Sequence, residues 1–206
     1  TQEKRRMLLE KIIKQQKWKI KLTEKLITDD EKAVKQFFKA SLKAGNEGLI
    51  AKNLKSVYQP GRRVGGWVKL KTTLEPLDLV IVGAEWGAGK RAGTLSSFTL
   101  ACKNKNEFLE CGMLGTGIKE KSEGVSFAQL TKMLKPFITK EEVRSVKIKP
   151  KIVLEVDYEE IQKSPTYSSG FALRFPRLKR LRSPEKSPKD INSLEDIKRL
   201  YKKQRK

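Results

Sequence analysis

The chain has 206 residues, 37% of them hydrophobic, and carries 46 Lys and Arg against 24 Asp and Glu, a net charge of +22. The apolar content suffices for one large or two small cores, and the positive excess goes well beyond what solubility requires, so a polyanion is the expected partner. The absence of histidine excludes histidine general-base catalysis and histidine-containing zinc sites, and no apolar run approaches the roughly 20 residues that span a bilayer.

Residues 1–21 are charged throughout and hold no apolar stretch before a small-residue cleavage site, so the chain is expected to be intracellular, cytoplasmic or nucleoid-associated, with no membrane partner. Cys102 and Cys111 have neither a CxxC nor a metal spacing and read as two reduced, partly buried thiols. A chain that starts at Thr1 with its first methionine at Met7 is expected to be a fragment of something longer.

Leu8, Leu9, Ile12 and Ile13 repeat at helical spacing within residues 4–14, and residues 17–22 (KWKIKL) then alternate strictly, which predicts a helix leading into a strand. Thr28 and Glu31 form a capping-box pattern ahead of a helix bearing Val34, Phe37, Phe38, Ser41 and Leu42 on one face, with Gly45 as its stop. Residues 48–53 and GWVKLK (66–71) read as strands on either side of a turn-rich stretch around Tyr58 to Gly61.

Pro76 marks a boundary. Beyond it, residues 77–86, 95–103 and 107–114 predict three consecutive strands; Phe127, Leu130, Met133, Leu134 and Phe137 predict a helix; residues 139–142 predict a polar loop; and residues 151–161 and 170–181 predict two more strands. Three strands, a helix and two strands is the order of an OB-fold, a small barrel that commonly binds nucleic acid. Residues 183–188 (SPEKSP) have linker composition, Ser193 is placed to cap a terminal helix with Leu194, Ile197 and Tyr201 on one face, and the basic end at 198–206 reads as a solvated surface.

Four stretches can carry chemistry. In GNEGLIAK (45–52), Glu47 at a strand mouth is a natural ligand for a hard divalent cation or a ribose hydroxyl, and Lys52 can meet a phosphate; exposed charges at strand ends are also ordinary. In PGRRVGGWVKLK (60–71), alternation sends Lys69 and Lys71 to one side and Val68 and Leu70 to the other, expected to be the core side. Paired ammonium groups ask for an anion between them, although an exposed sheet face also tolerates them.

GAEWGAGKRAG (83–93) superficially resembles a P-loop, but Ala84 replaces its first glycine and Arg91 follows Lys90 where Ser or Thr belongs. It reads better as a flexible basic loop touching a phosphate backbone, or as a plain hairpin. In RFPRLKRLR (174–182), Pro176 interrupts a strand that displays a cluster of guanidiniums suited to phosphate oxygens.

EGLIAK (47–52), WVKLK (67–71), VGAEWGAGKRAGTLSSFTLA (82–101) and SPTYSSGFALRFPRLKRLR (164–182) in this order resemble the C-terminal half of an ATP-dependent DNA ligase of the archaeal and eukaryotic type. The resemblance implies an α+β chain: the end of a nucleotidyltransferase (adenylation) domain at 1–75, an OB-fold β-barrel at 76–182, and a basic linker and helix at 183–206. It implies ATP and Mg2+ (or Mn2+) as cofactors and nicked duplex DNA as substrate, joined through lysyl-adenylate and DNA-adenylate intermediates. By position, Glu47 resembles a metal carboxylate, Lys52 and Arg63 nucleotide ligands, Lys69 and Lys71 the pair that binds the AMP phosphate, Arg174 and Arg177 the arginines that orient pyrophosphate, and Lys90 and Arg91 a DNA-facing loop.

The family's nucleophile sits in a K-x-D-G motif, and that tetrapeptide does not occur in these 206 residues. The chain alone is therefore expected not to self-adenylate, its missing half being supplied in cis or in trans; a sliding clamp is a further expected partner. A non-enzymatic OB-fold nucleic-acid-binding protein, an RNA ligase and a capping guanylyltransferase are the alternative readings.

Overall fold

The computed structural model describes residues 1–61, 66–71, 74–120 and 124–204. They fall into two compact units, Thr1–Thr73 and Leu74–Lys206.

In the first unit, α1 (Gln2–Ile12) starts at Thr1, whose hydroxyl accepts from the Lys4 N–H at 3.3 Å. α2 (Glu31–Lys43) is capped by Asp30 rather than by Thr28: its carboxylate accepts from the N–H groups of Lys32 (2.9 Å) and Ala33 (3.2 Å). Two carboxylate oxygens satisfy two orphan donors and carry charge that suits the positive helix end, which a hydroxyl does not. Thr28 accepts instead from the Asp30 N–H at 3.0 Å. β1 (Gly48–Lys52) and β2 (Trp67–Lys71) then pair antiparallel.

Residues 17–22 do not form the expected strand. Gln16 and Ile20 close a tight turn on each other, with Trp18 in the left-handed region (φ 64) and 94% exposed. Alternation stabilises a strand only where a second strand receives its backbone groups, and none of the described residues does so here.

The second unit contains β3 (Leu77–Trp86), β4 (Leu95–Asn104), β5 (Glu107–Leu114), α3 (Phe127–Leu134), β6 (Ile138–Glu141), β7 (Ser145–Ile148), β8 (Val153–Asp157), β9 (Glu160–Lys163), β10 (Phe171–Arg174), β11 (Arg177–Leu181) and α4 (Leu194–Lys203). The main sheet runs β11-β8-β3-β4-β5, with β7 paired to β3 and β6 to β7, while β9 and β10 form a separate two-stranded ribbon. Among the described residues the ladder does not continue round into a closed sheet. One parallel bridge, Thr116 to Arg177, with the Leu178 N–H donating to the Thr116 carbonyl at 2.9 Å, joins the end of β5 to β11. The result is a mixed helix and strand unit with OB-like topology.

The expected loop at 139–142 lies mostly in β6, which hairpins onto β7. Its side chains are polar because they face outward, and the short β7 that holds it in place buries only Val146 and Ile148.

Both faces of β3 are covered, which is why it is apolar almost throughout. Leu77, Leu79 and Ile81 join Phe98, Leu100, Leu130, Leu134, Leu154 and Ile197 in the main core, and Val80 packs with Ala101, Val153 and Ile191 on the other side. Residues 183–193 are thus part of the packing: Ile191 covers the outer face, Lys186 ion-pairs with Asp78, and the Asp78 N–H donates to the Asn192 side chain at 2.7 Å. α4 opens with a capping box between Ser193 and Asp196 and buries Ile197, Leu200 and Tyr201.

The first unit differs sharply. None of its described residues is buried, whereas the second unit buries an extensive apolar cluster. Met7, Ile12, Leu26, Ile27, Ile50 and Val68 are all exposed, and an open cavity of about 820 Å3 lies between α1, residues 21–28, α2 and β1.

Candidate functional site

The register of β1 with β2 opposes Lys52 to Trp67, Ile50 to Lys69 and Gly48 to Lys71. Directly opposed residues share a face of the sheet, so Lys52, Lys69 and Lys71 line one surface together with the Trp67 ring. The Lys52 ammonium stands 4.2 Å from the centroid of that ring, and Lys71 lies 3.7 Å from the Glu47 carboxylate at the strand mouth. Three cations against one carboxylate leave this surface able to take a polyanion.

Gly48 makes the close pairing possible. At φ +145 it adopts a backbone that side-chain-bearing residues avoid, and a Cβ there would lie 2.0 Å from the Leu70 carbonyl oxygen. The Ser41 hydroxyl donates to the Gly48 carbonyl at 2.9 Å, tying this strand end to α2.

Val68 and Leu70 occupy the opposite face, but only Leu70 is half-buried; Val68 is 60% exposed. The expectation that both point into a core is corrected for Val68, because no described residue covers that part of the face. Arg63 lies outside the described residues.

Glu47 stands at the strand mouth with its side chain 86% exposed. Among the described residues there is no group of three His, Cys, Asp or Glu able to hold a metal ion.

In the second unit the basic loop after β3 is a hydrogen-bonded turn. Gly87 donates to the Thr94 carbonyl at 2.8 Å, and a Cβ on Gly87 would sit 2.5 Å from the Arg91 carbonyl oxygen. Arg91 is occupied within the unit: its guanidinium stands 4.1 Å from the centroid of the Phe127 ring and bonds Glu120, which holds the Glu120 carboxyl below the usual range. Lys90, beside it, is exposed.

The run at 174–182 divides its arginines between two tasks. Arg174 ends β10 opposite Glu160, 3.4 Å from that carboxylate and 5.2 Å from the Phe175 ring, and remains half-exposed. Arg177, exposed, opens β11 opposite Asp157. A bulge between Leu178 and Arg180 turns both Lys179 (2.7 Å) and Arg180 (2.5 Å) onto Glu155. Hydrogen bonds from Lys179 and then Arg180 hold the Glu155 carboxyl below its ordinary range. Arg182 reaches both Asp78 and Glu155. Arg182 is thus engaged in the interior, Arg180 and Arg174 each hold a carboxylate while 55% and 47% exposed, and Arg177 is exposed.

Sequence reasoning passed over Phe175. It is 63% exposed, at φ +50, in the turn between the two arginine-bearing strands. An exposed aromatic in a left-handed backbone conformation is uncommon, and the Pro176 that follows favours extended backbone at position 175, so it gives no signal for it. Trp67 as the platform for Lys52 was legible only once the strand register was known.

A mixed α+β architecture with an OB-like unit and two lysine-rich or arginine-rich strands suits a protein that binds nucleic acid. Residues 1–71 match the family model described as the ATP dependent DNA ligase domain, and residues 91–185 match the ATP dependent DNA ligase C terminal region. The chain belongs to the ATP-dependent DNA ligases.

It is 54% identical to a DNA ligase of Nanoarchaeum equitans over 98% of this chain and 36% of that protein, and 46% identical to a DNA ligase of Thermococcus fumicolans over 96% and 34%. The chain thus spans about a third of the length of these curated relatives. The solved structure named Pmar-Lig_PreS3 overlays at a TM-score of 0.54 with 21% identity, covering 74% of this chain and 31% of that one, a likeness of fold. No helix of the described residues is long and apolar enough to cross a membrane.

Proposed function

We propose that this chain supplies the phosphate-binding share of an ATP-dependent enzyme that seals nicks in duplex DNA inside the cell. The observation that carries the reading is the shared face of Lys52, Trp67, Lys69 and Lys71. In the reaction a lysine amine attacks the α-phosphorus of ATP and expels pyrophosphate. The AMP then passes to the 5′-phosphate of the nick, and the 3′-hydroxyl displaces AMP to form the phosphodiester.

Lys69 and Lys71 bind the phosphate that is handed on in each step and stabilise its developing charge, the main resource of phosphoryl-transfer sites. Lys52 and Arg63 hold the nucleotide, Arg174 and Arg177 bind the phosphates of ATP and orient the leaving group, and Lys90 contacts the DNA backbone. A divalent cation, Mg2+ or Mn2+, would neutralise phosphate charge, and Glu47 would contribute one ligand to it. The attacking lysine comes from a polypeptide segment with a K-x-D-G motif. That segment packs on the uncovered apolar surface of the first unit, in cis or in trans, where Met7, Leu26, Ile27 and Val68 are exposed.

The test replaces the matching 208 residues of the Nanoarchaeum equitans relative with this chain. The chimera is expected to seal a nicked duplex, and its Lys69→Ala variant to lose sealing while still binding DNA. A chimera that binds nicked duplex but does not seal it supports a non-enzymatic OB-fold protein instead. Preferential joining of RNA, or guanylate transfer, supports the other nucleotidyltransferase readings.

A further inference from the structure

We propose that Gln204 and Tyr201, at the end of α4, are positioning residues for Arg174. The inference rests on the reading of Arg174 as a phosphate ligand. Its structural half is independent of that reading.

Arg174 is not carried by the main sheet. It ends the β9-β10 ribbon, which among the described residues has no ladder to the seven-stranded sheet and at this end continues into β8 and β11, so its position depends on that junction and on how the ribbon is held. One attachment is at the closed end, where the loop between the two strands meets β5: Ser169 N–H donates to the Glu110 carbonyl at 3.1 Å and Glu110 N–H donates to the Ser168 hydroxyl at 2.8 Å.

A further attachment is α4, and it acts at the end that bears Arg174. The Gln204 carboxamide pairs with both backbone groups of Ile161, accepting from its N–H at 3.0 Å and donating to its carbonyl. It takes the part that a neighbouring strand would play. Ile161 is paired with Leu173, and the adjacent pair is Glu160 with Arg174. Tyr201 supports the same ribbon through an edge-on contact with the Phe171 ring, the centroids 5.3 Å apart.

Without the Gln204 clamp, the Ile161 N–H and carbonyl lose their partner, and the arginine end of the ribbon is left to its junction with β8 and β11, where the Thr116 hydroxyl donates to the Pro176 carbonyl at 2.8 Å, and to the burial of Ile161 and Leu173 in the core. The matched C-terminal region stops at residue 185, so this clamp lies outside it.

Hydrogen exchange and tripolyphosphate binding, both on the full 206-residue chain, test the proposal with Gln204→Leu, Arg174→Ala and the double variant. Gln204→Leu should speed exchange of the Ile161 amide at least tenfold while leaving the Leu100 amide of β4 unchanged, which shows that the unit is still folded. It should weaken tripolyphosphate binding several-fold, and add nothing in the Arg174→Ala background. Gln204→Glu, which keeps the acceptor and loses the donor, should fall between wild type and Gln204→Leu.

Unchanged Ile161 exchange overturns the clamp. Equal losses from Gln204→Leu with and without Arg174 overturn the positioning role. If Arg174→Ala itself leaves tripolyphosphate binding intact, the phosphate-ligand reading of Arg174 fails, and the exchange result still decides whether Gln204 holds the ribbon.

Discussion

Lys52 and Trp67 sit directly opposite each other across β1 and β2, with the ammonium 4.2 Å from the ring centroid. This contact fixes which face of the two strands is the cationic one, and Lys69 and Lys71 follow on the same face by alternation. In the ligase chimera, Lys69→Ala should reduce the sealing rate at saturating DNA by about 100-fold or more, the scale of losing one preorganised stabilising group. Duplex affinity should change by no more than a few-fold. A parallel fall in affinity with an unchanged maximal rate would refute the assignment of Lys69 to the chemistry.

Lys90 and Arg91 are adjacent but should respond differently. Lys90 is exposed, whereas Arg91 is held by Glu120 and the Phe127 ring. Lys90→Ala should lower the slope of log affinity against log salt by about one, as for the loss of one phosphate contact, and leave thermal stability unchanged. Arg91→Ala should instead lower stability by about 1 kcal/mol, since a cation-π contact and an exposed ion pair are each worth that or less. Titration of duplex DNA at several salt concentrations, together with thermal melts, separates the two.

How far the sequence shows this arrangement depends on whether its pattern is satisfied locally. The strands at 77–86 and 107–114 are evident because one unit buries both faces of β3 and the inner face of β5. Residues 17–22 carry an equally clear alternation yet form a turn, because alternation specifies a strand only when a partner strand is present. The lysine pair at 69 and 71 is legible from period two alone. Its relation to Lys52 is not, since strand register depends on contacts distant in sequence. The pairing of Arg180 and Arg182 with Glu155 was hidden for a similar reason: Glu155 lies 25 and 27 residues away from them.

The network around Glu155 predicts an acid-sensitive fold. Its carboxyl is held below the usual value by Lys179 and Arg180, so the folded state binds its proton less readily than the unfolded chain does. The stabilisation is therefore complete above the ordinary glutamate value of about 4.5 and fades as pH falls through the lowered folded-state value. Melting temperature should drop below pH 4.5 in the wild type. Glu155→Gln should melt lower at pH 7 and show a shallower decline between pH 5 and 3. Parallel curves for the two proteins would remove Glu155 from the account.

The two units should differ in local stability. With no buried residue among those described in the first unit and an extended core in the second, the apolar burial that offsets chain entropy is concentrated in residues 74–204. Amides of β1 and β2 should exchange at least ~100-fold faster than those of β3 and β4, the spread expected between weakly and fully packed elements. Adding a polypeptide that carries the K-x-D-G segment should slow exchange in the first unit selectively. Uniform protection along the chain would mean that the apolar surface around Leu26 and Val68 needs no partner.

Gly48 is where backbone geometry and the cationic face meet. A methyl group there would lie 2.0 Å from the Leu70 carbonyl oxygen and 3.1 Å from the Phe38 ring, on a backbone at φ +145. The backbone strain alone costs about 1–3 kcal/mol, and the carbonyl can yield only if β1 and β2 separate at that end. That separation moves Lys71, which is paired with Gly48, away from Glu47. Gly48→Ala in the chimera should therefore lower sealing by at least ~10-fold, the effect of a barrier raised by about 1.4 kcal/mol. The thermal transition of the second unit should not move, because Gly48 contributes nothing to its core. Sealing at the wild-type rate would show that the close approach of β1 to β2 is not required for the site.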